Sequence, residues 1–154
     1  MSAFLMASSA LFTVVAAPTA EAASQCQKNT RRFDIPWASD VSVTIQLCVN
    51  GTASSRRAVA TVTWDRGDAN GASPFEKFDV FVRLERNDVS KSTRHGDIDF
   101  KINGSDWGAT AIASEAVVPQ PRGGWTADGV VYYNINNDGE GQKTWSLTGS
   151  PKMN

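Results

Sequence analysis

Trp107, in the run Asn103-Gly104-Ser105-Asp106-Trp107-Gly108, and Trp125, in Arg122-Gly123-Gly124-Trp125-Thr126, stand beside glycines in turn-like sequence. A tryptophan held out from a loop offers a flat π face that stacks on a sugar ring or anchors a protein partner. Arg122 adds a planar cation beside Trp125. Large aromatics are highly buried on average, so the competing expectation is that each ring folds back as a lid on an open end of the fold. Two other tryptophans read as core: Trp64 follows Ala58, Ala60 and Val62 on one strand face, and Trp145 shares a face with Leu147.

Hydrolytic chemistry is poorly supplied. The single histidine, His95, would have to serve as the base of a Ser-His-Asp site, and no G-x-S-x-G elbow accompanies it. Asp97, Asp99, Asp106 and Glu115 could form a carboxylate pair for glycoside hydrolysis, but nothing in their spacing selects two of them. Glu115 stands out because its neighbours are apolar, and burial there would raise its pKa. No catalytic residue is assigned. The oxygen-rich loops 65–71 and 136–140 lack the alternate-position ligands of a calcium loop, and turn formation explains both, so no metal and no cofactor is expected. Arg66-Gly67-Asp68 spells an adhesion tripeptide inside a turn that accounts for itself, and Asn50-Gly51-Thr52 is a sequon that doubles as a hairpin turn. Residues 119–124, with two prolines and two glycines, would suit the rigid exposed loop of a protease inhibitor.

Residues 3–17, AFLMASSALFTVVAA, carry no charge and are shorter than the ~20 residues of a membrane span. With Ala20 and Ala22 in the small-residue positions ahead of a cut at Ala23, residues 1–22 read as a secretory signal peptide, despite the lack of a base before the apolar run. Their loss removes one acid, Glu21, leaving 15 bases against 15 acids. Without a basic face, neither nucleic acid nor a membrane surface is expected as a partner. In an exported chain the two cysteines, Cys26 and Cys48, are expected to pair.

Period-2 alternation dominates the remainder. It is clearest at 41–49 and 78–85, with further strands expected at 57–64, 97–102, 109–118, 129–135 and 143–147. Val43, Ile45 and Leu47 should be buried together with Phe78, Val80, Val82 and Leu84, leaving Asp79, Arg83 and Glu85 on a solvated face. Asn50-Gly51, Asn103-Gly104 and Asn136-Asn137-Asp138-Gly139 punctuate the strands. Seven or eight strands at this spacing predict an all-β antiparallel sandwich, jelly-roll or immunoglobulin-like, in a single domain over residues 23–154.

Tyr132-Tyr133, the Asn137-Asp138-Gly139 turn and the terminal run Thr144-Trp145-Ser146-Leu147-Thr148-Gly149-Ser150-Pro151, with the leader and the cysteine pair, resemble small secreted β-sandwich proteins of actinobacteria. That resemblance implies localisation and fold class and brings no activity. The expected function is a secreted, monomeric, non-enzymatic binding module for an extracellular polysaccharide or protein, contacting it around Trp107, Trp125 and Arg122. A small carboxylate-dependent hydrolase and a protease inhibitor are the alternatives.

Overall fold

A computed structural model describes residues 23–67 and 71–154; the expected signal peptide, residues 1–22, lies outside the described residues. Eight strands and one short helix follow in the order β1 Ala23–Phe33, β2 Val41–Gly51, β3 Arg56–Asp65, β4 Phe75–Arg86, β5 Val89–Asp97, α1 Asp99–Gly104, β6 Trp107–Ala113, β7 Trp125–Ile135 and β8 Lys143–Ser146. They form two antiparallel four-stranded sheets, β1-β2-β3-β6 and β5-β4-β7-β8. The expected β-sandwich is therefore the fold. The sixth strand returns to pair with the third while the seventh pairs with the fourth, which is immunoglobulin-type connectivity with β1 added outside the first strand. Among the described residues no helix is long and apolar enough to cross a membrane.

The core follows from alternation. Val41, Val43, Ile45, Leu47 and Val49 of β2 face Phe78, Val80, Val82 and Leu84 of β4, all of them buried. At one end Phe33 closes the core, its ring meeting those of Phe75, Phe78, Tyr133 and Trp145 at centroid distances of 4.9–5.9 Å. Trp64 is core as expected; Trp145 is half-buried against it. The outer face of β4 departs from expectation, since Asp79 and Glu85 are buried on it. Asp79 lies under His95 and beside Tyr132, and Glu85 shares Arg83 with Asp128.

Segments 23–33, 89–97 and 97–102 differ from the sequence expectation. Residues 97–102 were expected as a strand, yet β5 ends at Asp97 and α1 follows. Ile98, Phe100 and Ile102 satisfy both a period of two and a helical i, i+4 pair; burial of Ile98 and Ile102 with Phe100 exposed shows that the helical pair holds. β5 itself is reached through Asn87 and Asp88, both at positive φ (49° and 63°), as a two-residue hairpin turn requires. The polar strand β1 pairs with β2 along its full length, from Ala23 opposite Gly51 to Phe33 opposite Val41.

Cys26 and Cys48 are directly opposed in that ladder and form a disulfide, with Cα atoms 4.1 Å apart. This is slightly closer than the usual ~4.4–6.8 Å for bonded cysteines and near the ~4.5 Å of facing non-hydrogen-bonded residues. The bond staples an edge strand to its neighbour within one sheet; it does not bridge the two sheets.

Candidate functional site

The β1–β2 loop, the β3–β4 loop, α1 and the β7–β8 turn gather at one end of the sandwich, the α1 end; the β2–β3, β4–β5 and β6–β7 connections gather at the other. Trp107 opens β6 at the α1 end and is 79% exposed. Trp125 opens β7 at the opposite end, a strand length of roughly 30 Å away at ~3.3 Å per residue, and is 3% exposed. Its Nε1–H donates to the Pro121 carbonyl at 3.0 Å, and its backbone bridges Met153. Trp125 is thus corrected from a contact residue to a structural lid. Arg122 is exposed beside it, far from Trp107, so the three residues do not form one site.

The α1 end carries, besides Trp107, a second exposed tryptophan that the sequence reading passed over, on the β1–β2 loop across the sheet from β6. Trp37 is 96% exposed. It occupies the third position of a turn, Ile35-Pro36-Trp37-Ala38, in which the Ala38 N–H donates to the Ile35 carbonyl at 3.3 Å. Ile35 is buried and anchors the turn, and proline suits its second position. At the third, Trp37 has φ +67°, a conformation type II turns normally give to glycine or asparagine. The legible signal was Ile-Pro-Trp between two strands, a turn with an aromatic where glycine belongs.

Phe100 on α1, 64% exposed, is the third large aromatic here. It borders a shallow hollow of about 400 Å³ between α1 and β6, lined also by Trp64, Lys101, Gly104, Ser105, Gly108 and Ala109. The Trp64 indole lies so close on Gly108 that a Cβ there would come within 2.3 Å of the ring. Trp64 Nε1–H also donates to the Ser105 carbonyl at 3.3 Å. Trp64 therefore points inward with Gly108 while Trp107, one residue earlier, points out.

A polar cleft of about 480 Å³ opens at the corner of β1 and β8 on this same end. Arg31 lies over the rings of Phe33 and Tyr133, 5.3 and 5.1 Å from their centroids. Across from it, Lys143 binds Asp138 at 2.9 Å and also contacts Glu140. The Glu140 backbone N–H, then the Lys143 ammonium, hold the Asp138 carboxyl below its usual range; Glu140 first and Asp138 second raise Lys143 above its own. Asp34 completes an acid-and-base lining that can offer both donors and acceptors to hydroxyl groups.

The other candidates resolve individually. His95 Nδ1 lies 3.2 Å from Asp79 Oδ1, and its ring stacks on Phe81 at 4.9 Å. That diagonal contact between paired strands supplies an acid partner and no nucleophile. Asp97 Oδ1 accepts the Asp99 N–H at 3.4 Å at the start of α1, and burial chiefly raises the Asp99 pKa. Glu115 is exposed, not buried. Arg66 is buried, donating to the carbonyls of Ile102 (3.0 Å), Asn103 (2.7 Å) and Ala72, and so ties the β3–β4 loop to the end of α1. An adhesion tripeptide would need that arginine free; Asp68 lies outside the described residues. Compared with protein-family models, curated proteins and solved structures, the chain matches none.

Proposed function

We propose that this protein is an extracellular binding module whose α1 end engages polysaccharide, with Trp37 and Trp107 as stacking platforms and the Arg31–Lys143 cleft hydrogen-bonding sugar hydroxyls. The observation that carries the reading is Trp37. An apolar side chain left almost wholly in water, on backbone that disfavours any residue with a Cβ, gains nothing for the fold, and such outliers concentrate where a ligand is clamped. The disulfide supports an oxidising location, and N-terminal sequencing of protein from culture supernatant should begin at Ala23. Binding is tested by pull-down on insoluble polysaccharides such as cellulose, chitin and peptidoglycan. Trp37→Ala and Trp107→Ala should each weaken retention by about tenfold or more while melting like wild type, since a central aromatic anchor is commonly worth about 2 kcal/mol. Retention unchanged in the double variant would refute the reading.

A second reading belongs to the opposite end. The loop 119–124 is braced at three points: Pro121 accepts from Trp125, the Gly123 carbonyl accepts Arg86 Nε–H at 3.0 Å, and the Gly124 carbonyl accepts the Asn87 N–H at 3.1 Å. Arg122 projects from this brace into solvent, as an inhibitory loop would present a basic residue to a trypsin-like protease. Titration of trypsin activity with wild type and Arg122→Ala decides it.

A further inference from the structure

We propose that the free edge of β6 accepts an extended polypeptide segment as an added strand, with an apolar side chain of that segment seated beside Phe100 and an acidic one reaching Lys101. This surface lies beside the aromatic end but does not depend on polysaccharide binding there.

The direction of the backbone groups follows from two hydrogen bonds that bracket the strand. Arg66 N–H donates to the Asp106 carbonyl at 2.7 Å, and Ser114 N–H donates to the Ala58 carbonyl at 2.9 Å. Even-numbered residues of this segment therefore bond to β3. The N–H and C=O groups of Trp107, Ala109, Ala111 and Ala113 point away from the sheet. Among the described residues none of these groups hydrogen-bonds outside the ladder. The three alanine side chains are exposed and too short to screen them.

The other three edges of the sandwich are defended. Strand β1 carries Lys28, Arg31 and Arg32, and Asn29 is bonded on both sides to Thr148. Strand β5 carries Lys91, Arg94 and His95 and pairs through a register shift at Leu84/Glu85. Strand β8 is four residues long. Charges, bulges and short length are the usual devices against strand addition. The β6 sequence, Trp-Gly-Ala-Thr-Ala-Ile-Ala, uses none of them.

Main-chain bonds give such a site affinity, and pockets for alternate side chains give it selectivity. The hollow of about 400 Å³ lies on that edge. A residue opposite Gly108 would face the same side as Trp64 and enter the hollow against Phe100. Two residues along, on the same face, Lys101 Nζ donates to Thr110 Oγ1 at 2.7 Å, and among the described residues it has no carboxylate partner. An acidic side chain opposite Thr110 would complement it. The partner is thus an extended segment carrying an apolar and an acidic residue two positions apart.

The test uses a random dodecapeptide library displayed on phage, selected on the whole protein and counter-selected on Ala111→Pro. Proline at 111 removes an outward N–H and leaves the β3 ladder intact; Ala111→Lys, which restores the N–H but adds charge, is the second blocked edge. Enriched peptides should alternate, carry the apolar–acidic pair, and bind both blocked variants and Lys101→Ala about tenfold or more weakly than wild type, a difference of ~1.4 kcal/mol. Binding to Trp37→Ala should stay at the wild-type level, so failure here and failure of the polysaccharide reading remain separate results. Peptides that bind the blocked variants equally, or a library that yields nothing above the Ala111→Pro background, overturn the proposal. A dimer in sedimentation equilibrium that Ala111→Pro dissociates would assign the edge to a second copy of this chain instead.

Discussion

Trp37 and Trp125 are the same residue type in opposite surroundings, one in solvent and one buried, and substitution should separate them. Left-handed backbone costs a residue with a Cβ about 1–2 kcal/mol, and glycine's freedom in the unfolded chain returns roughly 0.5–1 of that. Trp37→Gly should therefore be as stable as wild type or up to about 1.5 kcal/mol more so, while losing polysaccharide retention; a variant that melts lower would show the indole serves the fold. Trp125→Ala removes a buried ring and orphans the Pro121 carbonyl, so its melt should reveal a loss of about 3–5 kcal/mol. Both tryptophans at 107 and 125 were visible in sequence as glycine-flanked. Which one turns inward was not, because the docking of the 119–124 loop and the C-terminal bridge to Met153 decide it.

At the level of elements, legibility tracked the apolar count. Strands β2 and β4 announced their buried faces through five and four alternating aliphatic or aromatic positions. Val82→Asp, which would place an unpaired charge between the sheets, should cost several kcal/mol and abolish the cooperative transition in circular dichroism. An unchanged midpoint would mean the face assignment is wrong. Strand β1 was illegible because its residues are mostly polar; its extended form is imposed by the β2 ladder and the disulfide, not by its own periodicity. Strand β5 was hidden for a related reason, having polar residues on both faces and a turn of Asn87-Asp88 without glycine. The candidate site shared that fate, since Trp37, Trp107 and Arg31 come to the same end of the sandwich only through the long-range order of strands.

For the whole molecule, a formal net charge of only −1 conceals a local excess of acid on the outer face of the β4 sheet. Arg83 is flanked by Asp128 Oδ2 at 2.6 Å and by Glu85 Oε1, which lies 3.0 Å from Nε but off the line of a hydrogen bond. Burial first, and then the Asp128 charge, lift the Glu85 carboxyl above its ordinary 4.5, with Arg83 opposing. The native state then holds this proton more tightly than the unfolded chain does. Its contribution to stability falls as pH rises from the ordinary value through the raised one, and the penalty persists at neutrality. Glu85→Gln should accordingly raise the thermal midpoint at neutral pH and leave it unchanged at pH well below the ordinary carboxylate range. Melts of both proteins across pH check this, and a lower midpoint for the variant at neutrality would reverse the sign.

The staple between Cys26 and Cys48 also has a mechanical meaning. Tension applied at Ala23 itself loads β1 from the end where it faces Gly51, so its ladder with β2 opens one rung at a time, like a zip. The bond stands at the fourth rung and halts that opening one rung past core Val49, ahead of Leu47, Ile45 and Val43. Under reducing conditions the same pull runs on past that rung toward Phe33, the ring that closes the α1 end. A thiol reductant would thus turn an edge strand that bears load into one that peels, and would carry the disturbance from one end of the sandwich to the other.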